Sequence, residues 1–287
     1  MDFFKALPAT ATIRALLQAA ADIIPIVDAR LLLCHALQVS REWLAAHDDE
    51  RPHAVQRELL ASYFTRRANG EPVAYILGER EFYGRSLLVN QAVLIPRPET
   101  ELLVELSLAR LPGQAAARVL ELGTGSGAII ISLKAERQGV DAHAVDLSEA
   151  ALDVARRNAA RHQVVVQFGL SNWFAQVSGR FELIVANPPY IALADPHLTQ
   201  GDLRFEPALA LSGGVDGLDA IRSIVRAAPN FLHHAGWLLL EHGYDQARAV
   251  RDLLAQAGFS AIAAERDLAG IARVTLGQWF HPAQFAS

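Results

Sequence analysis

The chain has 287 residues, of which 52% are hydrophobic and 20% charged, and its formal net charge is −5 at pH 7. This composition supports well-buried cores and argues against extended disorder. The acidic balance lacks the basic footprint that proteins binding mainly nucleic acid usually carry. At roughly 150 residues per domain, the length predicts about two domains.

The chain shows no targeting or membrane signal. No apolar run approaches the roughly 20 residues that a membrane-spanning helix needs, and the start, Met1 to Lys5, lacks the pattern of a secretory signal. The single cysteine, Cys34, cannot form an internal disulfide, and its position after three leucines favours a small buried apolar residue. We therefore predict a cytoplasmic protein that does not bind membranes.

The first part of the chain carries the apolar spacing of amphipathic helices. Ile13, Leu16, Leu17 and Ala20 follow the i, i+3, i+4 pattern, which returns twice before residue 65. We predict that residues 1–70 form a small helical bundle that docks a protein substrate.

A turn cluster, Asn69-Gly70-Glu71-Pro72, ends the predicted bundle. The stretch from Val73 to Val93 carries alternating and β-favouring residues around two glycines, which is typical of a hairpin. We therefore predict that residues 71–97 form a linker that contains a β-hairpin.

From Arg118 onward, short apolar strands alternate with helical segments, as in a doubly wound parallel sheet with helices on both faces. The predicted strands are residues 118–122, 142–146, 164–168, 181–186, 236–241, 259–264 and 272–276. The last two are too close together for a crossover helix and should pair as an antiparallel hairpin. Residues 98–287 are thus predicted to form one α/β domain with a mostly parallel seven-stranded sheet and an antiparallel C-terminal strand.

A glycine-rich loop follows the first of these strands. Its sequence, Glu121-Leu122-Gly123-Thr124-Gly125-Ser126-Gly127, precedes a helical run, and the three glycines let the backbone approach a ligand at a helix N-terminus. Asp146 ends the second strand, where an acid can hold ribose hydroxyls. Both features fit a nicotinamide dinucleotide as well as S-adenosylmethionine.

Two further features favour S-adenosylmethionine. Glu121 can pair with the cationic methionine end of that ligand but would repel a pyrophosphate. After the third strand, Asn172 can bond the adenine amine and Trp173 can lie against the adenine ring. For Trp173 taken alone, ordinary core packing is at least as good an interpretation. No cysteine or histidine cluster has metal-ligand spacing, so no metal is predicted.

The segment Asn187-Pro188-Pro189-Tyr190 directly follows the fourth strand, at the edge where open α/β sheets bind ligands. An amide nitrogen is a poor nucleophile, so an enzyme must engage both of its protons while holding it in line with the methyl group. The Asn187 side-chain oxygen and the Pro188 carbonyl can accept those protons, the prolines stiffen the loop, and Tyr190 can stack on the planar amide. We predict catalytic roles for Asn187, Pro188 and Tyr190, and substrate contacts from all four residues. Alone, the tetrapeptide leaves adenine and an amide open as methyl acceptors.

Several blocks together resemble the PrmC/HemK family of protein-(glutamine-N5) methyltransferases over essentially the whole chain. The blocks are the glycine loop, Asn187 to Tyr190, Gly78-Glu79-Arg80-Glu81-Phe82-Tyr83-Gly84, Leu94-Ile95-Pro96-Arg97-Pro98-Glu99-Thr100-Glu101, Arg204-Phe205-Glu206-Pro207 and Leu240-Glu241-His242-Gly243. The resemblance implies a helical N-terminal domain and a class I S-adenosylmethionine-dependent methyltransferase domain.

The resemblance also implies the substrate, the glutamine of the Gly-Gly-Gln loop of class-1 peptide release factors, with S-adenosylhomocysteine as the second product. It implies cofactor contacts from Gly123 to Gly127, Asp146, Trp173 and Asn187. Asn172 departs from the aspartate usual in the family, so its amide oxygen would accept from the adenine amine without charge assistance.

Two alternative substrates stay open, a glutamine of a ribosomal protein and the N6 atom of adenine in DNA. Adenine-N6 DNA methyltransferases share the Asn-Pro-Pro-Tyr element, but they must take the base out of the stack. The chain shows neither a base-recognition insert nor a basic excess, so we expect release factors as partners and no stable nucleic-acid binding. Residues 191–215 lack clear periodicity, which predicts a lid or substrate loop.

Overall fold

A computed structural model describes residues 10–111, 116–199 and 201–281 of the chain. The chain divides into two compact units, Met1–Gly78 and Glu79–Ser287. The outer ends of the two predicted domains, residues 1–9 and 282–287, lie outside the described residues.

The described part of the first unit is a helical bundle. Its helices are α1 (Ile13–Ala21), α2 (Ile26–Leu37), α3 (Arg41–Ala46), α4 (Ala54–Ala68) and α5 (Val73–Leu77). Thr12 and Ser40 cap α1 and α3, because each hydroxyl accepts a hydrogen bond from the backbone N–H three residues later. The apolar faces of the helices meet in one core, which includes the fully buried Leu16, Leu32 and Phe64.

Helix α5 replaces the first residues of the predicted hairpin. Gly78 ends this helix with a φ of 78°, the left-handed conformation that glycine adopts without strain. The Arg66 side chain donates hydrogen bonds to the Glu71 carboxylate at 2.6 Å and to the carbonyl of Tyr75 at 3.2 Å. A five-residue segment is too short to show a helical period, so contacts with distant residues decide its conformation.

The second unit contains a hairpin and a seven-stranded sheet. The hairpin consists of β1 (Glu79–Phe82) and β2 (Arg85–Leu88). The strands of the sheet are β3 (Arg118–Leu122), β4 (Asp141–Asp146), β5 (Gln167–Leu170), β6 (Phe181–Ala186), β7 (Leu232–Glu241), β8 (Ser260–Arg266) and β9 (Ala272–Trp279). Their order is β5-β4-β3-β6-β7-β9-β8, and β9 runs antiparallel to both of its neighbours. The predicted fold class is therefore confirmed.

Helices cover both faces of this sheet. They are α6 (Glu101–Arg110), α7 (Ala128–Glu136), α8 (Glu149–Arg161), α9 (Ala208–Leu211), α10 (Asp219–Ala227) and α11 (Ala247–Gln256). Short 3-10 helices span Pro98–Thr100, Pro196–Thr199, Gly201–Phe205 and Ala228–Asn230. Across the described residues of both units, no helix combines the length and the apolar character needed to cross a membrane.

The sheet separates two apolar cores. Val119 of β3 belongs to one core, while Leu120 and Leu122 belong to the other, because successive side chains of a strand point to opposite faces. Helices α6 and α7 contribute to the first core, and α10 and α11 contribute to the second. Burial on both faces explains why these strands read as continuous apolar runs.

Strand β5 begins three residues later than the sequence pattern predicts. Helix α8 ends at Arg161, Gln163 has a φ of 56°, and the Val164 N–H donates to the Ala159 carbonyl at 3.0 Å. Residues 162–164 therefore close the helix instead of starting the strand. Val164 is apolar and partly buried, which suits the end of a helix as well as the start of a strand. Hydrophobicity alone therefore does not distinguish the two.

Asn158, a fully buried residue of α8, joins the hairpin to the glycine loop. Its Oδ1 accepts from the Leu88 N–H at 2.7 Å, and its Nδ2 donates to the carbonyls of Leu88 at 3.0 Å and Ser126 at 2.9 Å. All three bonds are with backbone atoms. One side chain therefore holds two segments of the chain that are distant in sequence.

Replacing Asn158 tests this junction. Asn158→Ala should lower the free energy of unfolding by about 2–4 kcal/mol, because it leaves backbone groups of Leu88 and Ser126 unpaired in a buried place. Urea denaturation followed by circular dichroism measures the change. Asn90→Ala is the matched control, since Asn90 is exposed and accepts from the nearby Ala92 N–H. Equal losses in the two variants would contradict the assignment.

Candidate active site

Three strands of the sheet end at one edge. Leu122 of β3 pairs with Val145 of β4 and with Ala186 of β6, so the segments that follow these strands emerge side by side. A cavity of ≈ 320 Å³ lies at this edge. Of the predicted site residues, those that line it are Glu121, Gly123, Thr124, Gly125, Ser126, Asp146, Asn172, Trp173, Asn187 and Pro189. Gly127, Pro188 and Tyr190 are not among the lining residues.

The glycine loop forms an open backbone cradle. Gly123 and Gly125 have φ values of 70° and 54°, in the left-handed region that favours glycine. The Gly125 N–H donates to Oδ2 of Asp146 at 2.8 Å, and Oδ1 of the same carboxylate accepts from the Ser148 N–H at 2.9 Å. A Cβ atom on Gly125 would meet nothing within 4 Å, so the backbone there is open to a ligand.

Gly127 has a different position from the other two glycines. It precedes α7 with a φ of 82°, and a Cβ atom on it would lie 2.7 Å from Cδ1 of Ile131 and 3.3 Å from Cβ of Ala155. The absence of a side chain therefore allows α7 to begin close to α8. The structure places this glycine in helix packing behind the cradle.

Glu121 is a buried acid at the floor of the cavity, with 1% of its surface exposed. Its Oε2 accepts from the Thr124 hydroxyl at 2.6 Å and from the Ile130 N–H at 3.1 Å. Burial is the main cause that raises the pKa of Glu121 to about 8; the charge of Asp146 acts in the same direction, and the hydrogen bonds from Thr124 and Ile130 oppose it. A cation bound in the cavity would favour the ionised form, so this acid fits the positively charged end of S-adenosylmethionine.

Trp173 lies over the glycine loop. A Cβ atom on Gly123 would be 3.5 Å from the indole ring, and the same ring packs against the second apolar core. The ring therefore packs against the core and also lines the cavity; its contact with adenine stays a prediction. The Ser171 hydroxyl donates to the Trp173 carbonyl at 2.8 Å, which fixes the turn, and Asn172 stands exposed at the cavity edge.

Asn187 is half-buried in the cavity wall, one residue after β6. Its Nδ2 donates to the Thr100 hydroxyl at 3.1 Å. The neighbouring Pro188 is buried, and the Tyr190 carbonyl accepts from Nε2 of Gln246 at 3.0 Å. Burial raises the pKa of the Tyr190 phenol above its ordinary value, so this side chain is neutral at physiological pH.

One wall of the cavity was not predicted residue by residue. It includes Arg97 and Thr100 from residues 92–100, and Pro207 from the segment after β6. The Glu206 side chain joins the two segments, because it accepts from the Ile95 N–H at 3.1 Å and forms an ion pair with Arg97. Charged residues set beside prolines were the available signal, but no pattern in the sequence pairs them.

The predicted lid, residues 191–215, contributes Pro207, Leu209, Ala210 and Ser212 to the lining; residue 200 lies outside the described residues. An isolated parallel bridge joins Ile191 to Ser212. A Cβ atom on Gly213 would lie 2.5 Å from the Pro189 carbonyl oxygen and 2.6 Å from that of Gly217. This glycine therefore lets the segment close against the backbone of the Asn187 loop.

In the part of the chain that the structure describes, no group of three or more histidine, cysteine, aspartate or glutamate side chains is arranged to hold a metal ion.

The fold and the cradle at its strand ends define the class of protein. Two family models match the chain, the PrmC N-terminal domain over residues 9–78 and the methyltransferase small domain over residues 99–201. The chain is a class I methyltransferase that uses S-adenosylmethionine. A methyltransferase from Pyrococcus furiosus has the same fold, with a TM-score of 0.55 and 17% identity over 77% of this chain and 100% of that chain.

Curated relatives give the family. The chain is 51% identical to the release factor glutamine methyltransferase of Xylella fastidiosa strain Temecula1, over 92% of this chain and 97% of the relative. It is 48% identical to the protein of the same name from Neisseria gonorrhoeae, over 89% of this chain and 94% of the relative. The chain belongs to the release factor glutamine methyltransferase family.

The buried acid of the cavity should make stability depend on pH. The pKa of Glu121 rises from 4.5 to about 8 on folding, so the folded state holds the proton more tightly than the unfolded state. The contribution of Glu121 to the free energy of unfolding therefore falls as the pH increases between these two values. Glu121→Gln removes this dependence. We expect the free energy of unfolding of the wild type minus that of the variant to decline from about pH 5 to pH 8, in urea titrations without cofactor. Parallel pH curves for the two proteins would contradict the assignment.

The close approach of backbone atoms at Gly213 predicts that a side chain at this position destabilises the protein. Gly213→Ala should lower stability by about 1–3 kcal/mol, because backbone atoms must shift to admit the new methyl group. The same shift displaces a cavity wall, so binding of S-adenosylhomocysteine should weaken by about tenfold in isothermal titration calorimetry. Gly139→Ala is the control, since its Cβ atom would meet nothing within 4 Å. Wild-type stability in Gly213→Ala would exclude the packing role, and wild-type affinity would exclude the displacement of the cavity wall.

Proposed function

We propose that this enzyme transfers a methyl group from S-adenosylmethionine to the side-chain amide nitrogen (N5) of the glutamine in the Gly-Gly-Gln motif of class-1 peptide release factors, and so modulates translation termination. The position of Asn187 in the cavity wall, with its Nδ2 held by Thr100, carries this proposal. The names of the curated relatives support the same substrate class.

We infer that the glycine cradle, Asp146, Asn172 and Trp173 hold the cofactor. Gly125 presents open backbone, and the Trp173 ring lies beside Gly123 at the cavity wall. When bound, S-adenosylmethionine supplies an electrophilic methyl group. Glu121 then serves as the counter-charge for the cationic end of the ligand, in a buried place where a single charge is otherwise costly.

The acceptor side of the reaction rests on Asn187 and Pro188. Since Nδ2 of Asn187 is directed at Thr100, the Oδ1 atom is left to accept a hydrogen bond from one N–H of the glutamine amide. The Pro188 carbonyl accepts a hydrogen bond from the second N–H, and the amide nitrogen is then held with its lone pair toward the methyl group. Catalysis in this proposal is mainly positioning and electrostatic stabilisation, and the nitrogen releases one proton to solvent as it gains the methyl group.

Two further contacts belong to the proposal. Tyr190 lies outside the residues that line the cavity, and we propose that its ring, with Pro189, contacts the glutamine when the substrate enters. The helical N-terminal unit, which matches the PrmC N-terminal domain, is the proposed docking surface for the release factor.

The acceptor is tested by offering several substrates in parallel. Purified protein and labelled S-adenosylmethionine are incubated with a release factor, ribosomal proteins and DNA, and the methyl group is located by mass spectrometry. We expect label on the glutamine of the Gly-Gly-Gln motif, and none after that glutamine is replaced by asparagine. Label on a ribosomal protein or on DNA alone would overturn the proposed substrate.

Asn187→Ala tests the role of the side-chain amide. The variant should lose roughly 10²–10³-fold or more in kcat, because one acceptor for the substrate N–H is missing. Its melting temperature should stay close to that of the wild type, which scanning fluorimetry checks. Asn230→Ala is the control for both measurements, since Asn230 is exposed, precedes β7 and is not among the residues that line the cavity. Unchanged turnover in Asn187→Ala would refute the assignment.

A further inference from the structure

A buried carboxylic acid lies directly behind Asn187. Ala186 pairs with Leu240 in the parallel register of β6 and β7, which sets Asn187 beside Glu241 at the strand ends. Glu241 is 1% exposed, and its Oε2 has no hydrogen-bond partner among the described residues. A buried acid with unmet hydrogen-bonding capacity requires a reason, and the proposed contacts with cofactor and substrate do not use it.

Thr100 lies between the acid and the cavity. It is 4% exposed, it lines the cavity, and its Oγ1 accepts from Nδ2 of Asn187 at 3.1 Å. A hydroxyl has one proton, so a threonine that accepts from Asn187 has that proton left to donate. Hydrogen bonding from Thr100 and Asn187 favours the ionised form of Glu241 and opposes the larger effect of burial, which raises its pKa to about 7.

The direction of these bonds determines which end of the Asn187 amide faces the cavity. Nδ2 of Asn187 donates to Thr100, and Glu241, at the end of the neighbouring strand, is close enough for Thr100 and Asn187 to favour its ionised form. With Nδ2 engaged on this side, Oδ1 is the atom left for a ligand. We propose that Glu241 is a positioning residue that, with Thr100, holds the Asn187 amide so that Oδ1 faces the nitrogen to be methylated. This inference rests on the proposed function, since it needs an acceptor that presents N–H protons to Asn187.

A carboxylate suits this task better than a neutral group. Ionised glutamate only accepts hydrogen bonds, whereas a glutamine in its place both donates and accepts. With glutamine, the Asn187 amide can turn by 180° and keep a hydrogen bond, and its NH₂ group would then oppose the N–H protons of the substrate. The Asn187 amide can turn in the same way when Glu241 takes up a proton, because a protonated carboxyl group both donates and accepts hydrogen bonds.

Other charged and titratable groups face the acid. Arg273 of β9 favours the ionised form of Glu241, Glu99 opposes it, and Tyr190 lies close enough for its own pKa to respond to Glu241. His242 is buried, its Nε2 is 2.8 Å from the Thr275 hydroxyl, and burial lowers its pKa. Below neutral pH, Glu241 is therefore the group whose protonation changes the direction of the hydrogen bonds to Asn187.

The first test measures turnover at saturating S-adenosylmethionine. We expect Glu241→Gln and Thr100→Val to lower kcat by about tenfold or more, while cofactor affinity changes by less than about twofold. Thr100→Ser keeps the hydroxyl and should retain most of the activity. Asp252→Asn removes one negative charge from the exposed face of α11 and should leave kcat unchanged. The wild type should lose activity as the pH falls below about 7, and Glu241→Gln should lack this decline.

Two results of this experiment would overturn the proposal. One is turnover within about twofold of the wild type in both Glu241→Gln and Thr100→Val. The other is an equal loss in Thr100→Ser and Thr100→Val, since that would make the size of the side chain, and not its hydroxyl, the determinant. If Glu241→Gln does not fold, the threonine pair decides the outcome.

A second measurement does not depend on the methyl acceptor. The Asn187 side-chain NH₂ signals, identified by their loss in Asn187→Asp, are followed by nuclear magnetic resonance in the protein with bound S-adenosylhomocysteine. Their hydrogen exchange should be about tenfold faster in Thr100→Val and Glu241→Gln than in the wild type. Unchanged exchange would refute the positioning role. A wild type that fails to label any release factor would instead refute the proposed substrate.

Discussion

The parallel pairing of β3 with β4 and β6 is the constraint on which the catalytic unit depends. Leu122 stands opposite Val145 on one side and Ala186 on the other, so three strands finish at one level. Because parallel strands need crossover connections, each strand end is followed by a loop on the same edge. The glycine cradle, Asp146 and Asn187 are neighbours for this reason, although more than 60 residues separate the first from the last.

The site that forms there holds acids in places where burial disfavours their charge. Burial raises the pKa of Glu121 to about 8 and that of Glu241 to about 7. A core made only of apolar groups would avoid this cost, so the two acids indicate functional demand. We propose that Glu121, below the cradle, pairs with the cationic end of the cofactor. We also propose that Glu241, behind Asn187, positions the amide that binds the substrate.

The remaining walls are held by contacts between backbone segments and a few polar side chains. The ion pair of Arg97 with Glu206 joins the segment before α6 to the segment after β6. Asn158 fastens the hairpin to the cradle, and Gly213 permits the approach of a loop to Pro189. These contacts are local in space and distant in sequence. Substitutions at Asn158 and Gly213, which are not among the lining residues, therefore act on the site without touching a ligand.

The sequence alone determined the alternation of strands and helices and the places of the glycine loop, Asp146 and the Asn187 loop at strand ends. These features depend on residues that are close together in the sequence, so periodicity and motifs reveal them. It did not separate the end of α8 from the start of β5, since Val164 is apolar in both roles, and it did not reveal α5. Only the tertiary structure showed that Thr100 and Glu241 lie beside Asn187, and that Glu206 pairs with Arg97. The residues of each pair come from segments that are far apart in the sequence and share no sequence pattern. They come into contact only after the strands have paired.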